Sequence, residues 1–345
     1  YYNSGFLTKA CLELAERGFA MDAMDLFGYP KIEPYDKGFM PVGHGHRIYY
    51  EQVGNPDGYP MIFVHGGPGV ACNENHRRFF DPAKWRVILF DQRGCGRSEP
   101  LGLLVNNTTG YLVMDIVKLM NRLGISEAAF FAGSWGTTLA LAFALEFTER
   151  VSAMILRGVY LANKNEMDYF YRDGEVGIGI YHPEHWQRFI DFVPSRFRGD
   201  PLRYYHDEIR NGNKAAAIEI AGYNWSNGMM YLNSSDTGLG TTDDSCDEPT
   251  LFAEASITAH YFVNNCFLAD GYILKNAFKL AHIPISITQG RYDMVCQPRS
   301  AWLLHQALGA NSNLALTLAG HASDDSENMK RLISETNRIY DLVKK

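Results

Sequence analysis

From residue 38 onward the chain alternates short apolar runs with turn signals and amphipathic stretches, and few architectures accept that rhythm. Runs of strand length fall at 38–42, 46–53, 61–65, 86–90, 128–132, 153–157, 284–288 and 314–318. Helical patterns separate the later ones. In 111–123, for example, Leu112, Ile116, Leu119, Met120 and Leu123 share one face. This alternation predicts an α/β fold, an eight-stranded, mostly parallel sheet covered by helices. Such sheets bind ligands outside the C-terminal ends of their strands, so chemistry is expected just after strands.

One stretch breaks the rhythm. Residues 161–279 lack convincing buried strands and are rich in aromatic, amphipathic segments, with a Gly-, Ser-, Thr- and Asp-rich run from Asn233 to Pro249 that reads as a mobile loop. A helical cap inserted between the sixth and seventh strands accounts for it. At 345 residues the chain is long enough for two domains or for one interrupted domain. The pattern favours the second: an N-terminal helical extension (1–28), a core in two parts (29–160 and 280–345), and the cap (161–279). The extension carries Cys11, Leu14, Met21 and Met24 at helical spacing, and its acids Glu13, Glu16, Asp22 and Asp25 suit neither a signal nor a transit peptide. The sequence opens Tyr1-Tyr2-Asn3 without Met, so the given start need not be the native one.

Composition excludes several classes. Lys plus Arg number 32 against 39 Asp plus Glu, a net charge of −7 that argues against a nucleic-acid partner. No apolar run approaches the length of a membrane span. Six cysteines in a chain this long do not make a disulfide scaffold, and a cytoplasmic location is the expectation.

Three segments carry the chemistry. Ala132-Gly133-Ser134-Trp135-Gly136 follows the apolar run at 128–131 and leads at once into the helical Leu139–Leu145. A serine at a sharp strand-to-helix turn needs small neighbours, because the backbones crowd there; this is a nucleophile elbow with Ala132 where Gly is usual. His65-Gly66-Gly67-Pro68-Gly69 ends the strand before it, and its glycines free backbone N–H groups to face a ligand. The N–H groups of Gly67 and Trp135 are the expected oxyanion donors, and His65 is expected to pin the loop. Asp293 follows the seventh strand and His321 the eighth, giving the order Ser, Asp, His of a triad built on such a sheet.

Other motifs rank lower. His182-Pro-Glu-His185 offers two histidines beside a carboxylate but shows no third ligand, and a surface helix start explains it better than a metal. Cys95 and Cys296 fall near the expected site and read as small buried residues able to confer thiol sensitivity. Asp91-Gln92-Arg93-Gly94-Cys95-Gly96-Arg97-Ser98 lacks the Lys-Ser/Thr of a phosphate loop and reads as a polar brace for the rim.

As a set, His65-Gly-Gly-Pro-Gly, Asp91-Gln-Arg-Gly-Cys-Gly-Arg-Ser, Gly133-Ser-Trp-Gly, Leu156-Arg-Gly, His260-Tyr-Phe and Gly290-Arg-Tyr-Asp resemble the prolyl iminopeptidase (prolyl aminopeptidase) family of α/β-hydrolases. The resemblance runs from about Tyr29 to the C-terminus and includes Asn106-Asn-Thr-Thr and Phe79-Phe-Asp-Pro. It implies an α/β-hydrolase core with a helical cap between strands six and seven, no metal or other cofactor, and release of an N-terminal proline from a small molecule or short peptide. Ser134, Asp293 and His321 match its triad.

Two departures bear on substrate choice. Family members hold the substrate's amino terminus with cap carboxylates. One closes a Trp-x-x-Trp-Glu segment, which here reads Ala221-Gly-Tyr-Asn-Trp225-Ser226-Asn227. The other precedes His-Tyr-Phe by two positions, where this chain has Thr258. Glu175, or Asp243, Asp244 and Asp247, could supply a relocated acid. Glu175, Trp225, Ser226, Asn227 and Thr258 are thus the candidate substrate-binding residues. The alternative is a scaffold refitted for an ester, amide or thioester, as a hydrolase or acyltransferase. A catalytically dead binding protein is the third reading, disfavoured because no triad or oxyanion residue is lost.

Overall fold

The computed structural model describes residues 23–172, 176–229 and 248–344. The extension read as a helix falls mostly outside them; its described end is the short helix α1 (Ala23–Phe27), whose Met24 is buried against the core.

Eight strands form one sheet: β1 (Asp36–Gly43), β2 (His46–Gly54), β3 (Tyr59–Val64), β4 (Trp85–Phe90), β5 (Ala128–Gly133), β6 (Val151–Arg157), β7 (Ile285–Gly290) and β8 (Ser312–Thr317). Their order across the sheet is β1-β2-β4-β3-β5-β6-β7-β8. Only β2 runs against its neighbours; the pairs from β4 to β8 are parallel. The expected α/β class and mostly parallel sheet are what is found, with no strand end displaced by more than two residues. The displacement at β8 has a physical reason: it is an edge strand, half exposed, so its apolar pattern is blurred.

The central strands are buried on both faces, and side chains alternate between two cores. Ile62, Val64, Phe130 and Ala132 face the helices α2 (Thr109–Arg122) and α3 (Trp135–Glu146). Met61, Phe63, Ala129 and Phe131 face the opposite side, where Phe79, Phe80 and Met24 pack. Burying α3 all round explains why its sequence has no polar face.

After β6 the chain leaves the sheet and returns at β7. Between them lie α4 (Lys164–Tyr171), α5 (Pro183–Asp191), α6 (Pro201–Arg210), α7 (Lys214–Met229), α8 (Glu248–Val263) and α9 (Tyr272–Asn276). Aromatic stacking holds this layer together: the Phe189 ring lies 4.2 Å from that of Tyr223 and 4.7 Å from that of Tyr205. The loop read over Asn233–Pro249 lies outside the described residues except for its last two, which open α8. Two helices complete the core, α10 (Pro298–Leu308) and α11 (Ser326–Val343), the latter burying Met329, Leu332 and Ile339 beside Met24. Among the described residues, no helix is long and apolar enough to cross a membrane.

Candidate active site

The site begins where β5 ends. Ser134 has φ 56° and ψ −131°, a conformation that L residues rarely adopt and that lifts its side chain above the sheet. The neighbours must be small for stated reasons. A Cβ at Gly133 would stand 2.6 Å from Arg157 Nη2, and one at Gly136 would be 2.8 Å from the His65 carbonyl oxygen. Ala132 is buried inside the apolar core, where a methyl group has space that the two glycines lack.

The glycine loop after β3 comes alongside. A Cβ at Gly66 would lie 3.2 Å from Ser134 Cβ, so glycine permits the close approach. The neutral His65 imidazole accepts at Nε2 from Gln92 N (3.0 Å) and donates from Nδ1 to Gly66 O (2.8 Å). Burial lowers its pKa, in keeping with that tautomer. Gln92 adds a donation to His65 O (2.9 Å) and accepts from Trp135 Nε1 (2.9 Å), which ties the loop to the elbow. The Asp91–Ser98 segment is thus a brace, with Asp91 accepting from Cys72 N and from the Arg97 guanidinium.

The other two residues arrive from the far strands. His321 Nδ1 lies 2.9 Å from Asp293 Oδ2. Asp293 is buried, and its Oδ1 accepts from the N–H groups of Val295 (3.0 Å) and Cys296 (2.8 Å) while Gln289 Nε2 donates to Oδ2 (3.1 Å). Arg157 Nη1 donates to His321 O (2.7 Å) and approaches Nε2 (3.3 Å). Because a guanidinium only donates, this contact requires a lone pair on Nε2 and places the imidazole proton on Nδ1, facing Asp293.

Ser134, Trp135, Gly67 and His321 line one cavity of about 280 Å3 under the helical layer. Its walls include Tyr160, Met167, Phe170, Phe262 and Val295, and the polar residues Glu166, Glu254, Thr258, Asn224 and Cys296 also line it. Burial pushes the Glu166 carboxyl up to about 7, against hydrogen bonds from Ser300, Asn163 and Leu161 that favour its ionised form. Burial also raises Glu254.

The candidate substrate residues scatter. Thr258 lines the cavity and donates to Pro68 O (2.6 Å). Ser226 instead borders a small recess beside His185 and Tyr223, and Asn227 is buried with Nδ2 bonded to Tyr223 O. Glu175 and Asp243, Asp244 and Asp247 lie outside the described residues, as does the Trp225 side chain. His182 and His185 do start a helix, but contrary to a surface position both are buried, with their rings stacked 5.3 Å apart. With Glu184 their ligand atoms lie within 4.8 Å of one another. Sequence reasoning placed Gln92 in the rim brace without a role of its own, and passed over Gln289 and Glu254. The last stands four residues before Thr258, on the same helix face, and that spacing was the available signal.

Comparison with known proteins completes the picture. The family model for the alpha/beta hydrolase fold matches residues 59–323. A proline iminopeptidase of Xylella fastidiosa strain Temecula1 is 39% identical over 316 residues, covering 90% of this chain and 98% of that one. One of Arabidopsis thaliana is 40% identical over 316 residues, covering 91% and 82%. Among solved structures, a proline iminopeptidase-related protein from Thermus thermophilus superposes with a TM-score of 0.56 at 20% identity, covering 90% and 98%. An esterase from Exiguobacterium antarcticum gives 0.57 at 18%, covering 90% and 100%. At these identities the structural likeness speaks for the fold.

Proposed function

The chain belongs to the proline iminopeptidase family of α/β-hydrolases, and from that premise we propose that Ser134, His321 and Asp293 are its catalytic triad. In the same reading Gly67 and Trp135 are the oxyanion donors and segment 161–279 is the cap over them. The protein is a serine hydrolase of the prolyl aminopeptidase type. The observation that carries the assignment is the bond between His321 Nδ1 and Asp293 Oδ2, made on the wall of the cavity that also holds Ser134.

Ser134 Oγ attacks the substrate carbonyl carbon while His321 Nε2 takes its proton, exchanging the Arg157 contact for the serine. Negative charge grows on the carbonyl oxygen, and the N–H groups of Gly67 and Trp135 receive it where α3 begins. The tetrahedral intermediate collapses, the C–N bond breaks, and the imidazolium passes its proton to the leaving amine. Water, deprotonated by His321, then attacks the acyl-enzyme and frees the acid and Ser134. Asp293, fixed by its N–H donors, holds the ring throughout. Nucleophile, base and donors all come from the chain itself.

The substrate class is a small amide or short peptide with an N-terminal proline, whose ring suits the Met167, Phe170 and Phe262 walls. The second reading, an ester, amide or thioester without a free amine, draws on the absence of an acid at Thr258 and Ser226. A fluorophosphonate is expected to label Ser134, with Ser134→Ala losing both label and hydrolysis; unchanged labelling in that variant overturns the assignment. Proline anilide and a simple aryl ester assayed side by side separate the two substrate readings.

A further inference from the structure

We propose that Glu254 is the residue of this chain that holds the free amino group of the substrate, one helical turn before the position where the family pattern carries its acid. The inference rests on the hydrolytic reading above and deepens it.

Glu254 and Thr258 stand at i and i+4 on α8, so both project toward the cavity that contains Ser134. This turn of α8 sits against the glycine loop: a Cβ at Gly69 would be 2.8 Å from Glu254 O and 3.2 Å from Thr258 Oγ1. The helix register is therefore anchored beside the loop that carries Gly67.

The other polar groups facing the cavity are already engaged. Thr258 spends its hydroxyl proton on Pro68 O. Glu166 accepts from Leu161 N, Asn163 N and the Ser300 hydroxyl, and Asn224 Oδ1 accepts from Tyr171. The Glu254 carboxylate makes no hydrogen bond or ion pair among the described residues. A carboxylate left so in a largely apolar recess is unfavourable until a cation joins it, and burial accordingly raises its pKa. An ammonium group entering with the substrate satisfies both the charge and the open acceptor sites.

The polarity of the surroundings agrees. Ser134 and His321 also border a second cavity, on the side where Arg157 lies. The unpartnered Glu254 carboxyl thus stands on one side of the nucleophile and a guanidinium on the other. A peptide carries the same polarity, with its ammonium ahead of the scissile bond and its carboxylate behind it.

The test compares proline 4-nitroanilide, N-acetylproline 4-nitroanilide and 4-nitrophenyl acetate in wild type, Glu254→Gln and Glu254→Gln/Thr258→Glu. The wild type is expected to prefer the free amine over its acetylated form. Glu254→Gln is expected to lose about a hundredfold in kcat/KM on proline anilide, mostly through KM, as removal of one partner from a buried pair does. Its loss on 4-nitrophenyl acetate is expected to be at least about tenfold smaller, since that ester has no amine for the carboxylate to hold. The double variant, which returns an acid one turn along, is expected to recover part of the loss.

Proline anilide activity that survives Glu254→Gln within about threefold overturns the proposal. So does an equal loss on the ester, which marks general damage, and so does a wild type that turns over the ester alone. Failure of the hydrolytic reading would appear separately, as a wild type with neither ester turnover nor fluorophosphonate labelling.

Discussion

Ser134 Oγ and Cys296 Sγ face each other at 3.9 Å, while the Cys296 backbone N–H donates to Asp293 Oδ1. The sulfur therefore sits between the nucleophile and the acid that orients the base, on the wall of the same cavity. Burial, followed by the Asp293 charge, raises its thiol pKa well above the ordinary value, so it rests as a neutral thiol. It fills space beside the reacting atoms and is itself a poor nucleophile.

N-ethylmaleimide is accordingly expected to inactivate the enzyme slowly, by placing a bulky adduct where the acyl group belongs. The rate should climb with pH, because the reactive thiolate grows as pH approaches the raised pKa. Cys296→Ala should keep kcat within about threefold while becoming resistant, since the side chain takes no part in proton transfer. Time courses of residual activity decide it; equal inactivation of the variant would assign the sensitivity to another thiol.

Gly158 supports the base from beneath. Its φ is +57°, and a Cβ there would lie 3.2 Å from His321 Cε1 and 3.3 Å from Asp293 Oδ2. Gly158→Ala adds backbone strain of about 1–2 kcal/mol and pushes on the imidazole. Catalysis is more sensitive than folding to such a shift, because a displacement of about 1 Å can cost about a hundredfold. The expected result is kcat reduced roughly ten- to hundredfold with a melting temperature only a few degrees lower. A variant with unaltered kcat would show that the ring has room to yield.

What the sequence disclosed and what it hid follow from the range of the forces involved. The Ser134 turn was legible because crowding against His65 and Arg157 dictates glycine locally. The positions of β3 and β5 were legible because strands buried on both faces write an unbroken apolar run. Gln289 was not legible, since it acts across 130 residues on Val159 N and an amide carries no charge pattern; Gln92 was read as part of the rim brace, but its bond to His65, 27 residues away, was not. Ser226 and Asn227 were placed at the substrate because they fall in a family motif, but the register of α7 directs Ser226 into the recess by His185. The acid at Glu254 escaped notice because a motif fixes positions, whereas a helix face offers equivalent positions four residues apart.

Glu166 couples folding to pH. Its carboxyl is pushed up to about 7 in the fold against 4.5 for the free side chain, burial being the main cause. An acid with a raised folded pKa stays protonated when the unfolded chain ionises, so its contribution is fully present below about 4.5 and is lost as pH rises through 7. The loss over that window is roughly 3 kcal/mol. Glu166→Gln keeps an acceptor for Leu161 N and gains a donor for Ser300 without this dependence. Urea titrations at pH 5 and pH 8 should therefore show the variant gaining on wild type at the higher pH. A difference independent of pH would mean that Glu166 stays ionised across the range.

Arg93 and Asp115 form an ion pair that is wholly buried, with Nη2 2.7 Å from Oδ1. The guanidinium also donates to Asn106 O and Val42 O, so one side chain joins the rim loop, β1 and α2. Burial still holds the Asp115 pKa above its ordinary value despite the cation beside it. Removing the cation alone leaves a carboxylate stranded in the core, and Arg93→Met should cost about 3–5 kcal/mol. Replacing both partners removes the desolvated charge, so Arg93→Met/Asp115→Leu should recover most of that loss in urea denaturation. The single variant should also approach wild type as pH falls, because protonating Asp115 removes the charge that lacks a partner. If the double variant is no better than the single, the bonds to Asn106 and Val42 stabilise this corner more than the ion pair does.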